Sequence, residues 1–371
     1  YKPEDNMENT DAITALKHVE DILFKLIAAG LGTCDRASLP KDVDWRSVFK
    51  LANQQGVGAV CLDGMQKLNW NIAEPKTIKI QWIGTALKQK QQYNAQWQAA
   101  VSLAKIWHDI GLQIYVMKGF VLAEMYPRPA SRYSCDMDCF LMKRHEWNGE
   151  KGDEVVEDKG IEIDRSYYKN SKFCFKGLTV ENHRYLLPIK GSSKAKRLER
   201  WLRTKIETAE PVYIGNTFLQ TPSALFNSVY ILAHAQEHFF EERISLKHVC
   251  DWAMVLNTYA NILDWEQWKQ ICEDYGMLSF GCALSRLANK ICGVKIPFEC
   301  EWDDETDSQL LDDVLYRTTS DSVQRSNWQV RIDLVKSIFK NRWKYRMFSN
   351  TNFLMFCGRR VWGYLFDKNL G

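Results

Sequence analysis

Lys118–Phe140 reads KGFVLAEMYPRPASRYSCDMDCF. It follows a short apolar run, Ile114 to Met117, and carries a Lys-Gly pair, Arg128 and Arg132, and an Asp136-Met137-Asp138 triplet. Phe120 to Tyr126 suits a short helix closed by Pro127 and Pro129, and Cys135 to Met142 is β-rich, so the segment predicts strand, helix, strand. In a strand, residues two apart face the same way: Asp136 and Asp138 stand side by side while Met137 turns to the core. Two such carboxylates repel unless a cation sits between them, and a hard divalent ion held by oxygen meets that need. Magnesium is the natural candidate. Gly119 would let backbone approach a phosphate, Lys118 and Arg132 would neutralise its charge, and Ser134 would add a hydroxyl donor. The bland alternative is that both aspartates lie on the solvated face of an edge strand.

Around this segment the pattern is mostly helical. Before it, Ile13, Leu16, Val19, Leu23 and Leu26 recur at helical spacing, and Lys76 to Ile110 reads as one long helix with Trp82, Leu87, Tyr93, Trp97, Val101, Ala104 and Trp107 on one face. After it come further β-rich runs, Ile161 to Tyr168, Lys172 to Phe175 and Leu178 to His183, with Lys176-Gly177 as a hairpin turn. Beyond Pro188 helical spacing returns through Leu198–Ile206, Ser223–Phe240, Leu246–Leu256, Trp265–Tyr275 and Phe280–Ile291. The expectation is an α+β protein with a helical region 1–112, a small mixed-sheet α/β core 113–188, a helical domain 189–322 and a basic, aromatic helical tail 323–371. With 371 residues, more than one domain is the default, since single cores stop growing near ~250 residues.

Composition narrows the function classes. The 46% hydrophobic and 26% charged fractions are those of an ordinary globular protein. Eleven cysteines, an odd number without a Cys-x-x-Cys pair, support neither a disulfide framework nor a zinc ribbon and fit a reducing cytoplasm. No run of eighteen apolar residues is present, so a membrane-spanning helix is not expected. The net charge of +3 is uneven: residues 323–371 hold ten Lys/Arg against two Asp.

The run Val116-Met117-Lys118-Gly119, the short helix ending at Tyr126-Pro127, and Arg132-Tyr133-Ser134-Cys135-Asp136-Met137-Asp138 together resemble the nucleotidyltransferase superfamily, DNA polymerase β-like, and within it the uncharacterised bacterial group. There a Lys-Gly and an Arg-x-x-x-Asp-x-Asp carry the site. The resemblance extends through Val180-Glu181-Asn182-His183, His234 to His238 and Leu246 to Leu256. It implies transfer of an NMP from an NTP such as ATP to an acceptor hydroxyl, with two Mg²⁺ ions held by Asp136, Asp138 and a third carboxylate. Glu181 is the candidate for the third, on the strand best placed to pair nearby. It would also help deprotonate the acceptor, while Lys118, Gly119, Arg132 and Ser134 would hold the triphosphate. This chain has Glu where the superfamily more often has Asp, and Gly119-Phe120 where it more often has Gly-Ser or Gly-Gly. The acceptor, whether RNA, protein, sugar or small molecule, is not specified.

Other patterns compete. Glu162-Ile163-Asp164 is a rival third carboxylate source, with a solvated strand face as its plainer meaning. His234-Ala-Gln-Glu237-His238 matches the His-x-x-Glu-His of inverted zinc peptidases, against histidines satisfying polar contacts between helices, with His248 and Asp251 as neighbours. Lys190 to Lys205 is either a solvated helix face or a guide for a polyanion. Lys336 to Phe348 interleaves cations and aromatics, suiting RNA stacking, a membrane surface or a partner protein, and better still a helix packed on the core. A catalytically silent nucleotide-binding or interaction module is the alternative function.

Overall fold

The computed structural model describes residues 4–316 and 341–348, apart from 39, 41, 70–75, 135, 190–192, 209, 211 and 242. The chain opens with four helices, α1 (Glu4–Gly30), α2 (Trp45–Gln54), α3 (Gly58–Lys67) and α4 (Lys76–Asp109). Gly64 lets α1 and α3 cross with backbones touching: a Cβ there would sit 2.0 Å from Leu26 O. In α4, Trp82, Tyr93, Ala104 and Trp107 are buried as the spacing predicts, but Leu87 is 54% exposed. The first part of α4 docks through Ile78 and Trp82, whose indole N–H donates to Gly58 O at 2.7 Å, and Leu87 lies beyond that anchor.

A seven-stranded mixed sheet follows, so the protein is α+β. Its strands are β1 (Gln113–Met117), β2 (Asp136–Lys143), β3 (Glu146–Trp147), β4 (Asn170–Phe175), β5 (Leu178–His183), β6 (Val212–Tyr213) and β7 (Leu219–Thr221). Their order is β4-β5-β2-β1-β7-β6, with β3 beside β2. The turn Lys176-Gly177, φ 49° and 79°, closes the expected hairpin in left-handed backbone. Two sequence expectations are corrected. Ile161–Tyr168 is not a strand but a loop with one bridge, Asp164 to Lys172, because its residues 162 and 164–167 are exposed and only Ile161, Ile163 and Tyr168 have partial cover. And the stretch after Pro188 is not wholly helical: β7 pairs in parallel with β1 and extends the sheet from the far side.

The remaining helices are α5 (Gly119–Ala123), α6 (Gly149–Glu157), α7 (Ser193–Thr208), α8 (Ala224–Glu241), α9 (Leu246–Tyr259), α10 (Trp265–Asp274), α11 (Leu278–Cys292), α12 (Asp304–Tyr316) and α13 (Arg342–Phe348). Strand alternation gives the sheet two apolar faces. Ile114, Val116, Met137, Cys139 and Leu141 pack with Leu103 and Trp107 of α4, whereas Tyr115, Met117, Phe140 and Met142 join the larger core of the C-terminal helices. Asp136 and Asp138 share the parity of Phe140, so they face the helices at the point where apolar packing ends.

The acidic stretch 301–313 is less solvated than its composition suggests: Asp307 pairs with Arg286 at 2.8 Å and Asp313 with Lys344 at 2.6 Å, both in buried surroundings. Of the aromatic basic stretch, residues 336–340 lie outside the described residues. In α13, Lys344, Tyr345 and Phe348 are buried, so this part packs on the core.

Candidate active site

A cavity of about 390 Å³ lies between the inner strands β2 and β5 and the helices α8 and α9. Asp136, Asp138 and Glu181 all line it, together with Lys118, Gly119, Arg132 and Ser134. The convergence follows from register: β2 and β5 run parallel, with Asp136 opposite Thr179 and Asp138 opposite Glu181. Adjacent paired residues share a face, so an Asp-x-Asp on one strand meets a Glu-x-His on the next. Asp138, Glu181 and His183 place ligand atoms within 4.8 Å of one another, and Asp136 stands outside that tight cluster on the same wall.

The electrostatics separate the two aspartates. Burial, and then the charge of Asp138, push the Asp136 carboxyl above the usual carboxylate range. For Asp138 burial acts the same way but is outweighed: Lys118 Nζ and His183 Nε2 each lie 2.9 Å from its Oδ1 and hold the carboxyl well below that range. His183 is oriented by its Nδ1–H, which donates to Tyr185 O at 3.1 Å. Glu181 Oε2 accepts from Asn170 Nδ2 at 2.7 Å and its Oε1 lies 3.3 Å from Lys172 Nζ.

Lys118 has φ 54°, an uncommon backbone for a residue with a side chain, and Gly119 follows at φ 29°. Gly119 lies close on the start of β2: a Cβ there would stand 3.2 Å from Asp136 O and 3.7 Å from Ser134 Oγ. Arg132 is 5% exposed and forks onto Asp251, Nε to Oδ1 at 2.7 Å and Nη2 to Oδ2 at 2.9 Å, while Nη1 donates to Gly119 O at 3.1 Å. Tyr126 Oη donates to the same Asp251 Oδ1 at 2.8 Å. Arg132 thus ties α9 to the Lys-Gly turn.

The His-x-x-Glu-His residues form the opposite wall. Lys118 Nζ can only donate, so His234 Nε2, 2.9 Å away, is its acceptor, and His238 Nε2 lies 3.2 Å from that same nitrogen. The His234 lone pair that a zinc ion would need is turned to an ammonium group. Burial, with Lys118 next, holds His234 well below its usual range. His248 lies beside His238, ring centroids 5.6 Å apart and tilted by 44°, and its Nδ1 accepts from Ser245 N. Glu162 and Asp164 are exposed and do not line the cavity. In the basic segment, Lys196, Arg197 and Arg200 are exposed on α7, and Lys194 alone of the described cations there borders a second cavity, of about 210 Å³, that meets the first at Glu237.

The model of the family described as uncharacterised nucleotidyltransferase matches residues 41–293, about two thirds of the chain and every residue lining the first cavity. The chain belongs to that nucleotidyltransferase family. No curated protein and no solved structure is similar to it at a significant level. Among the described residues, no helix is long and apolar enough to cross a membrane. Several cavity residues carried no sequence signal. Lys169 and Lys247 sit in unremarkable loop and helix starts. His183 was legible through the period of two that puts it on the face of Glu181, and Asp251 through no local pattern.

Proposed function

We propose that the protein transfers a nucleoside monophosphate from an NTP to an acceptor hydroxyl in a Mg²⁺-dependent reaction. One observation carries this reading: Asp136, Asp138 and Glu181, on two parallel-paired strands, line a single cavity beside Lys118. Three carboxylates at this spacing, one with its carboxyl pushed up by burial and a like charge, form an oxygen-donor set that suits a hard divalent ion. Asp136, Asp138 and Glu181 would hold two such ions, with His183 orienting Asp138. Bound there, Mg²⁺ would supply Lewis-acid neutralisation of the phosphates and of the developing charge.

The chain's own residues do the rest. The Gly119 turn and Ser134 seat the triphosphate at the Asp136 end, and Lys118 offsets its charge from beside Asp138. Arg132, locked on Asp251, keeps that turn in place. The acceptor oxygen attacks the α-phosphorus; the new O–P bond forms as the α–β P–O bond breaks, and pyrophosphate leaves with the electron pair. Glu181 takes the hydroxyl proton. Cytoplasm, as a reducing compartment, is the setting that suits the buried thiols of Cys61, Cys250 and Cys292.

A second reading, nucleotide binding without turnover, is favoured by the two groups already at 2.9 Å from Asp138 Oδ1, with which a cation must compete. Calorimetric titration of each NTP with Mg²⁺, on the wild type and Asp136→Ala/Asp138→Ala, tests the binding common to both. Labelled-nucleotide transfer then separates them. Magnesium-dependent binding abolished by the double substitution is expected; no NTP binding by the wild type would sink both readings.

A further inference from the structure

Among the described residues, the buried ammonium groups are paired with one exception. Lys118 meets Asp138 and His234, and Lys344 meets Asp313 at 2.6 Å and Phe239 O at 2.9 Å. Lys169 is 8% exposed and lines the same cavity as the carboxylates, yet among the described residues its ammonium makes no hydrogen bond and no ion pair. An ammonium kept largely from bulk water with no ion pair is costly to hold charged, which is why lysine is rarely buried alone. Burial, opposed first by the Glu237 carboxylate and reinforced by the charge of Lys118, holds Lys169 below the usual lysine range. A bound anion would remove that penalty.

Position decides which anion. Lys169 O accepts from Arg184 N at 2.8 Å and Tyr185 N at 3.0 Å, which fixes the residue beyond the C-terminal end of β5. Asp136 pairs with Thr179 near the other end of that strand, in company with Gly119 and Ser134. At ~3.3 Å per residue the two ends are roughly 16 Å apart along the backbone, with Glu181 between them. The carboxylate end near Asp136 is where the proposed function seats the triphosphate, so Lys169 stands on the far side of the proton acceptor from that triphosphate.

We infer that the acceptor is itself an anion: a hydroxyl compound whose phosphate or carboxylate group seats against Lys169 while its hydroxyl reaches Glu181. This rests on the nucleotidyltransferase reading and specifies its unnamed substrate. Lys169 is then a substrate-binding residue that selects against neutral alcohols.

The test uses the full chain saturated with Mg²⁺ and a non-hydrolysable NTP analogue, titrated calorimetrically with inorganic phosphate and, separately, acetate. The two probes distinguish a phosphate-bearing from a carboxylate-bearing acceptor. At least one probe should bind the loaded wild type. Lys169→Met should weaken it by about tenfold to a hundredfold, the worth of a charge-assisted hydrogen bond. Lys169→Arg should retain most of the affinity, and the analogue should bind all three proteins alike. Equal probe affinity in the wild type and Lys169→Met, or binding of neither probe, overturns the inference. So does a parallel loss of the analogue in Lys169→Met, which would make Lys169 a nucleotide ligand. If the analogue does not bind the wild type at all, the nucleotidyltransferase reading itself fails and the inference falls with it.

Discussion

Replacing Arg132 by Met should destabilise the fold by about 3–5 kcal/mol, the typical result of stranding one member of a buried ion pair. The guanidinium and the Asp251 carboxylate have side chains only 5% and 6% exposed. Removing the first leaves the second with the Tyr126 hydroxyl at 2.8 Å as its remaining described side-chain donor. The Gly119 carbonyl loses its 3.1 Å donor in the same step. Arg132→Lys should recover part of the loss, since an ammonium keeps the charge but cannot fork across both carboxylate oxygens. Arg132→Met/Asp251→Leu, which removes both charges, should be far less destabilised than either single substitution predicts, giving a coupling energy above ~1 kcal/mol. Urea unfolding followed by tryptophan fluorescence measures all four proteins, with the shift in midpoint at unchanged slope as the readout. A loss below about 1 kcal/mol for Arg132→Met, with additive single effects, would refute the view that this pair holds the Lys-Gly turn to α9.

Acid should weaken the fold through its buried imidazoles. Burial, then Lys247, holds His248 down at about 3 from its usual 6.5, so between these values the unfolded chain takes up a proton that the folded chain refuses. Stability should therefore rise with pH from about 3 to 6.5 and be lost as pH falls through that window, and His248→Gln should flatten the profile measured by urea unfolding at stepped pH. Asp136→Asn removes a buried carboxylate beside a like charge; it should leave the melting temperature unchanged or raised while lowering transfer activity by about 10² or more, and a variant that unfolds instead would contradict the crowding argument. Gly119→Ala forces a side chain to φ 29° and to 3.2 Å from Asp136 O, so it should cost about 1–2 kcal/mol and weaken NTP binding in calorimetry. Wild-type affinity in that variant would remove the turn from the nucleotide site.

The carboxylate wall was readable in part because the rule that builds it is local. Alternation by two places Asp136 and Asp138 on one face, and the family resemblance pointed to Glu181 on the β-rich run best placed to pair nearby; the structure sets Glu181 directly opposite Asp138. The opposite wall was not readable in the same way. His234 and His238 show their helical spacing in sequence, but their role depends on Lys118, 116 positions away from His234 and joined to it only by the fold. Arg132 invites a phosphate role by its charge, and the Asp251 that claims it lies 119 positions on. Lys169 illustrates the limit most sharply. Nothing around it in YYKNSK marks it off from any surface lysine, and only the turn of Arg184 and Tyr185 back onto its carbonyl puts it inside.

The charges of the cavity bear on how any nucleotide could bind. Its lining carries five carboxylates, Asp136, Asp138, Glu181, Glu237 and Asp251, against the four cations Lys118, Arg132, Lys169 and Lys247. His234 and His248 add little, since both are held toward the neutral form. Arg132 and Asp251 cancel each other, and Lys118 is shared with Asp138. Side chains alone therefore present a triphosphate with a wall that is slightly negative, in a low-dielectric setting where like charges are felt strongly. Binding of a polyanion there must bring positive charge with it, and the carboxylates are the groups able to hold that charge as a divalent ion. The requirement for metal should thus appear in nucleotide affinity itself, before chemistry: with a chelator present, NTP binding should fall below detection in the wild type, and substitution of Asp136 and Asp138 by asparagine should restore weak, metal-independent binding. Strong chelator-resistant binding by the wild type would mean that the phosphates lie elsewhere.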